Sequence, residues 1–131
     1  MRHRELTLAL LAPVLLLGLP GCTGTGEKGR AGSSPEATFY AYCKAVTKGN
    51  MEEVYGFYSD RKRGEISLAQ LKEQFAAGPD VWRVKYSNAR VRQVIDDKKG
   101  RASMVVLYGD GQRLPVMSYV LDGDVWKIDN D

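Results

Sequence analysis

Residues 101–128 read RASMVVLYGDGQRLPVMSYVLDGDVWKI and alternate between apolar segments and short polar turns. The apolar segments 102–108, 114–121 and 125–128 carry the β-branched and aromatic residues that strands favour. Gly and Asp make up the two short turns between segments, at 109–111 and 122–124. Because consecutive strands joined by short turns pair with each other, these segments predict an antiparallel meander.

One more strand is predicted upstream of the meander. Residues 83–95 contain several β-branched side chains and predict a single long strand. The polar residues 96–100 form the turn that leads from it into 102–108. The predicted sheet therefore has four strands in chain order.

Three amphipathic helices are predicted before the strands. Ser34 is an N-cap ahead of a proline at the first helical position, and Gly49 ends this first helix. Asn50 caps the second helix, and Ser67 opens the third as the first residue of a capping box. The Gly-Pro pair at 78–79 ends the third helix. Helices followed by a meander predict an α+β domain.

The N-terminus has the organisation of a bacterial export signal. Basic residues at positions 2 and 4 precede an apolar run over 6–17, and small residues follow at 18 and 21. The run has about 12 residues, whereas a membrane-spanning helix needs roughly 20. Residues 1–21 are therefore predicted to be a signal peptide rather than a permanent transmembrane helix.

Residues 19–22, Leu-Pro-Gly-Cys, resemble the lipobox of bacterial lipoproteins. The resemblance implies cleavage between Gly21 and Cys22, a diacylglyceryl group on the Cys22 sulfur and an acylated N-terminus, which together would anchor the chain to a membrane. Thr23 instead of Asp at the next position implies sorting to the outer membrane, facing the periplasm, if the cell has two membranes. The alternative is an ordinary secretory signal with an incidental cysteine.

A spacer separates the predicted anchor from the predicted domain. Residues 23–34 read TGTGEKGRAGSS and contain no large apolar side chain, so they predict a flexible linker. The predicted organisation is a signal at 1–21, a lipidated cysteine and linker at 22–34, and one α+β domain at 35–131.

Two motifs give the domain a family resemblance. The end of the first helix, KGNMEE at 48–53, and the terminal hairpin, LDGDVWKI at 121–128, resemble the nuclear-transport-factor-2-like superfamily. The resemblance implies a cystatin-like cone, in which a curved antiparallel sheet wraps the long first helix. Enzymes of that superfamily place carboxylates, tyrosines or histidines inside the cone.

Catalysis is not expected of this chain. The single histidine is His3, which lies in the predicted signal, so the mature chain has no histidine for acid–base work or metal binding. The carboxylates fall in turns, in loops or in the first turn of a helix rather than inside strands. We therefore predict no catalytic residue, no metal site and no cofactor. A cofactor-free lyase or isomerase that uses the interior of the cone is the alternative.

The interior of the cone is also where a small apolar ligand would bind. The residues expected to line such a pocket lie on apolar stripes that face each other: Phe39, Tyr42, Leu71, Phe75, Met104, Val106 and Trp126. Cys43 lies on the inner stripe of the first helix and is expected to be a small core residue rather than a reactive thiol.

The remaining candidate surface is the outer face of the predicted sheet. Met104 and Val106 share one face of their strand with residues 102 and 108, whereas Val105 and Leu107 lie on the other face with residue 103. Because both faces carry apolar residues, the outer face is predicted to be covered by a second copy or by another envelope protein. Scattered exposed apolar residues are the alternative. The 19 Lys and Arg against 16 Asp and Glu leave a net charge of +3, too weak a bias for a nucleic-acid partner.

Overall fold

In the computed structural model, which describes residues 30–113 and 116–130, helices precede strands as predicted. In chain order, the described elements are α1 Pro35–Lys48, α2 Met51–Gly56, α3 Asp60–Glu65, α4 Leu68–Ala77, α5 Pro79–Ser87, β1 Arg90–Asp96, β2 Arg101–Leu107, β3 Met117–Asp122 and β4 Val125–Asn130. The strands form one antiparallel sheet in the order β1-β2-β3-β4, which does not close on itself. The predicted α+β class and the meander are confirmed.

The predicted helix signals act as capping groups in the structure. The Ser34 side chain accepts a hydrogen bond of 3.0 Å from the Ala37 N–H at the start of α1. Gly49 ends α1 with a φ of 72°, a left-handed conformation that glycine adopts without a steric penalty. Ser67 and Gln70 form the reciprocal capping box of α4. These local interactions fix where α1 and α4 begin and where α1 ends.

The prediction of a single long strand over 83–95 is wrong, because its first half belongs to helix α5. The proline at the start of α5 occupies the first helical turn, where a missing N–H costs nothing. Trp82 and Tyr86 lie four residues apart and so point to the same side of α5, toward the core. Val84, the β-branched residue in that half, is 58% exposed and lies on the solvent side of the helix.

Helix α3 was not predicted, for a different reason. Ser59 caps it by accepting a hydrogen bond of 3.1 Å from the Lys62 N–H. The helix has six residues, none of them buried, and it contains Gly64. A helix without a buried stripe leaves no hydrophobic period in the sequence, so only its cap could have indicated it.

The core lies between α1 and the inner face of the sheet. Alternate residues of the strands point inward and are buried, as in the burial pattern of β2. Residues from the sheet and the helices then form one hydrophobic cluster, which includes Phe39, Tyr42, Val46, Val54, Leu71, Met104, Val106, Met117, Tyr119 and Ile128. Short backbone hydrogen bonds also cover the free edge of β4, since Ile128 donates to Phe57 and accepts from Ser59, both at 2.8 Å.

The chain enters this domain along β4. The Gly32 carbonyl oxygen accepts a hydrogen bond of 2.8 Å from the Trp126 N–H, and Gly32 has a φ of 85°. The Gly32 turn therefore lies against the domain, and the rest of the predicted spacer, 23–29, lies outside the described residues. The predicted signal peptide, the cleavage site and Cys22 lie outside the described residues. Within 30–113 and 116–130, no helix has both the length and the apolar character needed to cross a membrane.

Candidate functional site

The seven predicted pocket residues converge on the core. Phe39, Tyr42, Met104 and Val106 are fully buried, and Leu71 is 1% exposed. The other two lie at the margin: Trp126 is 8% exposed, and Phe75 is partly buried against the cluster. The structure thus brings these side chains together as packed neighbours in and around one hydrophobic core. Three surface depressions on the described residues are lined by other side chains.

Aromatic rings fill the space between α1, α5 and the sheet. The ring of Tyr86 packs edge-on against Tyr42 and against Tyr108, with centroid distances of 5.3 Å and 5.2 Å. The hydroxyl oxygens of Tyr86 and Tyr108 are 3.4 Å apart, and the Lys85 ammonium lies 4.3 Å from the centre of the Tyr108 ring. Such edge-to-face pairs and the cation–π contact stabilise this part of the fold.

Cys43 is buried, as expected from its position on the inner stripe of α1. Desolvation raises the pKa of its thiol from 9.0 to about 12, and the effect of a backbone hydrogen bond in the opposite direction is smaller. The thiol is therefore protonated at neutral pH, and a protonated buried thiol is a poor nucleophile.

One carboxylate stands in a polar cluster at the outer end of β4. Asp129 Oδ1 accepts hydrogen bonds of 2.7 Å from the Ser59 hydroxyl and 3.1 Å from Arg61 Nε. Arg61 also donates to the Asp129 backbone carbonyl and pairs with Glu65 at 2.6 Å. Desolvation alone would raise the Asp129 pKa, but these hydrogen bonds and the Arg61 charge outweigh it and lower the pKa. An ionised carboxylate held in this way joins α3 to β4.

A second carboxylate with a shifted pKa, among the described residues, lies in the β1–β2 turn. Asp97 Oδ1 accepts hydrogen bonds from the backbone N–H groups of Lys99 at 2.7 Å and Arg101 at 3.1 Å, which lower its pKa. This geometry closes the turn. Across the described ranges, no group of three or more His, Cys, Asp or Glu residues is arranged to hold a metal ion.

The outer face of the sheet carries a different combination of side chains. Arg90 pairs with Leu107 across β1 and β2, and Leu107 forms an isolated bridge with Arg113 on its other side. A half-buried leucine is therefore flanked by two exposed arginines in one row across the sheet. Arg92, also exposed, is the extra residue where the β1–β2 register shifts between Val91 and Gln93.

Further aliphatic side chains lie next to this row on the outer face. Gln93 pairs with Val105, which is half-buried. The β2–β3 register places Met104 opposite Met117, and extending it by one residue puts Val116 beside Val105. Val116 is 52% exposed. We call this surface the distal patch and define it by Arg90, Arg92, Val105, Leu107, Arg113 and Val116.

The distal patch lies at the end of the sheet away from the entering chain. The turns of the β1–β2 and β3–β4 hairpins lie together at the opposite end, where the Leu121 N–H donates to the Gly100 carbonyl at 2.8 Å. The Gly32 turn contacts β4 at that same end. The two ends are one strand of seven residues apart, or about 23 Å.

Sequence reasoning found two of the six residues of this surface. It placed Val105 and Leu107 on the outer face, and the structure confirms that assignment. It gave no role to the three arginines, because their proximity depends on strand register. A signal for two of them was nonetheless present, since Arg90 begins β1 and Arg113 directly precedes the apolar segment 114–121.

The comparisons with known proteins bear on the fold. No protein-family model matches the chain, and no curated protein matches it in sequence. Among solved structures, the chain is similar to a SEC-C motif containing protein from Rhodopseudomonas palustris, determined in solution. The TM-score is 0.57 at 12% sequence identity, over 77% of this chain and 79% of that chain. At this identity the similarity shows a shared α+β fold with an antiparallel sheet and nothing about function.

Proposed function

We propose that this chain is a lipid-anchored protein of the cell envelope whose domain binds another polypeptide and catalyses no reaction. Support for the anchor comes from the export signal at 1–21 and the lipobox ending at Cys22. We further propose that the domain is a small nuclear-transport-factor-2-like unit. The long capped helix α1 against an antiparallel meander supports this assignment, as do the motifs at 48–53 and 121–128.

The observation that carries the binding function is the contrast between the two faces of the sheet. On the inner face, Met104 and Val106 are fully buried beneath the helices. On the outer face, Val105 and Leu107 are half-buried by their neighbours in the sheet, and Val116 is largely exposed. Removing such aliphatic surface from water contributes roughly 25 cal/mol per Å², which makes this face suited to association.

A small apolar ligand in the interior has less support. Its predicted lining residues pack together in and around the core, with Phe39 and Tyr42 fully buried among their neighbours. A ligand would have to displace side chains in a region where packing is close, and such rearrangement costs free energy.

Site-specific photo-crosslinking in cells tests the proposed function. A photo-crosslinking amino acid is placed at position 105 of the full-length protein, and the matched control carries it at Glu73, an exposed position on α4. We expect a discrete polypeptide adduct from position 105 and none from position 73. Absence of an adduct at 105, or equal labelling at both positions, overturns the proposal.

The anchor has its own test. Cys22→Ser should abolish metabolic incorporation of a fatty-acid analogue, because the sulfur that carries the diacylglyceryl group is lost. Cys43→Ser is the matched control and should leave incorporation unchanged, since Cys43 is buried in the domain. Labelling that persists in Cys22→Ser would refute the lipobox assignment.

A further inference from the structure

We infer that the distal patch binds an acidic, partly apolar segment of another envelope protein, an inference that rests on the proposed function. The patch combines Val105, Leu107 and Val116 with three arginines, so its chemistry is both apolar and strongly basic. Arginine is enriched at protein interfaces because its guanidinium forms paired hydrogen bonds with carboxylates while its stem packs on apolar surface. A segment that carries Glu or Asp among aliphatic residues matches both properties.

The arginines of the patch are available to a partner. Among the residues that the structure describes, the ion pairs engage Arg61, Lys72, Arg83 and Lys98, and none engages Arg90, Arg92 or Arg113. The carboxylate nearest in sequence to any of these three arginines is Asp110, three residues before Arg113. Its Oδ1 accepts a hydrogen bond of 2.9 Å from the Gln112 backbone N–H. The patch therefore presents three positive charges.

The bulge in β1 also restricts which chain can pair with the edge of the sheet. Here β1 is an edge strand, and the register shift at Arg92 interrupts its ladder. Bulges and charged residues at sheet edges prevent indiscriminate strand pairing. Arg90 and Arg92 thus disfavour a neutral or basic strand and favour an acidic one.

The same charges argue against a second copy of this chain as the partner. A two-fold dimer centred on the patch would bring the patch against itself. Arg90, Arg92 and Arg113 of one copy would then face the same three residues of the other, and like charges across an interface are costly. The net charge of the patch therefore selects a partner of opposite sign.

The position of the patch favours a polypeptide over the membrane to which the chain is anchored. The chain enters at Gly32, at the opposite end of the sheet, about one strand length away. The entering end carries exposed Ile95 and Leu121 together with charges of both signs, from Asp96 to Arg101 and at Asp122. The basic surface thus lies at the end of the domain that is farther from the point where the chain enters it.

Peptide binding by the full-length lipoprotein, held in vesicles of neutral lipid, tests the inference. The probes are two fluorescent peptides of equal length, one alternating Glu and Val and one alternating Lys and Val. We expect the Glu-Val peptide alone to bind, and its affinity to fall as salt is raised through about 0.15 M. Equal binding of the two peptides, or no binding of the Glu-Val peptide, overturns the inference.

Charge reversal locates the binding surface. Arg90→Glu and Arg113→Glu should each weaken binding of the Glu-Val peptide by about tenfold or more. Lys48→Glu, at the exposed C-terminal end of α1, is the matched control and should leave the affinity within about twofold. Both reversals lie on exposed positions, so unchanged thermal unfolding confirms that folding is intact. Wild-type affinity in both reversals would refute the assignment to the patch.

The membrane alternative is examined in the same vesicles. An environment-sensitive dye is attached at Val116→Cys, and the burial of Cys43 keeps that thiol from competing for the label. We expect no change in emission when anionic phosphatidylglycerol replaces part of the neutral lipid. A blue shift that Arg90→Glu abolishes would assign the patch to anionic lipid and overturn the inference.

Cross-linking separates failure of the inference from failure of the proposed function. If position 105 still yields a polypeptide adduct while the charge reversals leave that adduct unchanged, the proposed function stands and the acidic partner is wrong. An adduct with twice the mass of the chain would identify a second copy and likewise overturn the inference alone. Loss of the adduct in Arg90→Glu and not in Lys48→Glu supports both.

Discussion

The hydroxyl of Thr38 in α1 donates a hydrogen bond of 3.1 Å to the backbone carbonyl of Trp126 in β4. The two residues are 88 positions apart in the chain, and Thr38 is fully buried. The Trp126 N–H is engaged as well, by the Gly32 carbonyl. The backbone of Trp126 in β4 thus contacts both the first helix and the entering chain.

Replacing Thr38 by valine should destabilise the domain, because valine has the same shape but cannot donate to the Trp126 carbonyl. A buried carbonyl without a partner costs about 1–3 kcal/mol, and we expect a loss of that size in urea unfolding. Thr47→Val is the matched control, since the Thr47 hydroxyl donates to the Lys44 carbonyl at 2.9 Å at an exposed position. A loss in Thr47→Val as large as that in Thr38→Val would contradict the role given to burial.

Gly109 packs closely against α5. A Cβ at this position would overlap the Val84 backbone carbonyl, which cannot move without displacing the helix. Gly109→Ala should therefore lower the free energy of unfolding by about 1–3 kcal/mol. Gly64→Ala in α3, where a Cβ meets nothing within 4 Å, should instead leave stability unchanged or raise it by up to about 1 kcal/mol. Thermal unfolding of both variants checks the contrast.

Cys43 should make stability depend on alkaline pH. Its pKa is raised from 9.0 to about 12 in the folded protein, so the stability due to the protonated thiol is complete below pH 9 and is lost as pH rises toward 12. The stability difference between wild type and Cys43→Ala should shrink across that window. Comparing the two proteins cancels the ionisation of tyrosines. A difference that stays constant through the window would show that the thiol is not desolvated.

The contribution of Asp129 to stability should be lost in acid, whereas that of Cys43 is lost in alkali. Its pKa is lowered in the folded state, so its contribution is complete above the pKa of the unfolded chain and is lost as pH falls through the folded value. Asp129→Asn should be less stable than wild type at neutral pH, and the gap should close in acid. Urea unfolding of both proteins from neutral to acidic pH measures the gap, and a gap that stays constant over this range would contradict the lowered pKa of Asp129.

Local signals determined which elements could be predicted from the sequence. Helices α1 and α4 were predictable because their capping residues and apolar stripes agree with each other. The strand β2 was predictable because its residues alternate between faces. Helix α5 was not, since its exposed valines favour a strand and only Trp82 and Tyr86 mark its buried side. Their buried positions depend on packing against Phe75 of α4 and Tyr42 of α1, which the local sequence of α5 does not indicate.

The candidate surface was predictable to the extent that it depends on one strand. The alternation within β2 assigned Val105 and Leu107 to the outer face. The row of Arg90, Leu107 and Arg113 depends on three segments, and its register includes a bulge that no local pattern indicates. The surface charge of a sheet follows from pairing, which a single sequence does not specify.

The hydrogen bond between Gly32 and Trp126 sets how far the domain can travel from its anchor. If Cys22 carries the lipid, only the eight steps from Cys22 to Arg30 separate membrane from folded protein, a reach of less than about 30 Å even when fully extended. A linker of that length confines the domain to a thin layer above the bilayer and raises the local concentration of the domain there. An acidic segment recognised by the distal patch would have to enter that layer, so a partner held on the same membrane would meet the patch at the higher local concentration.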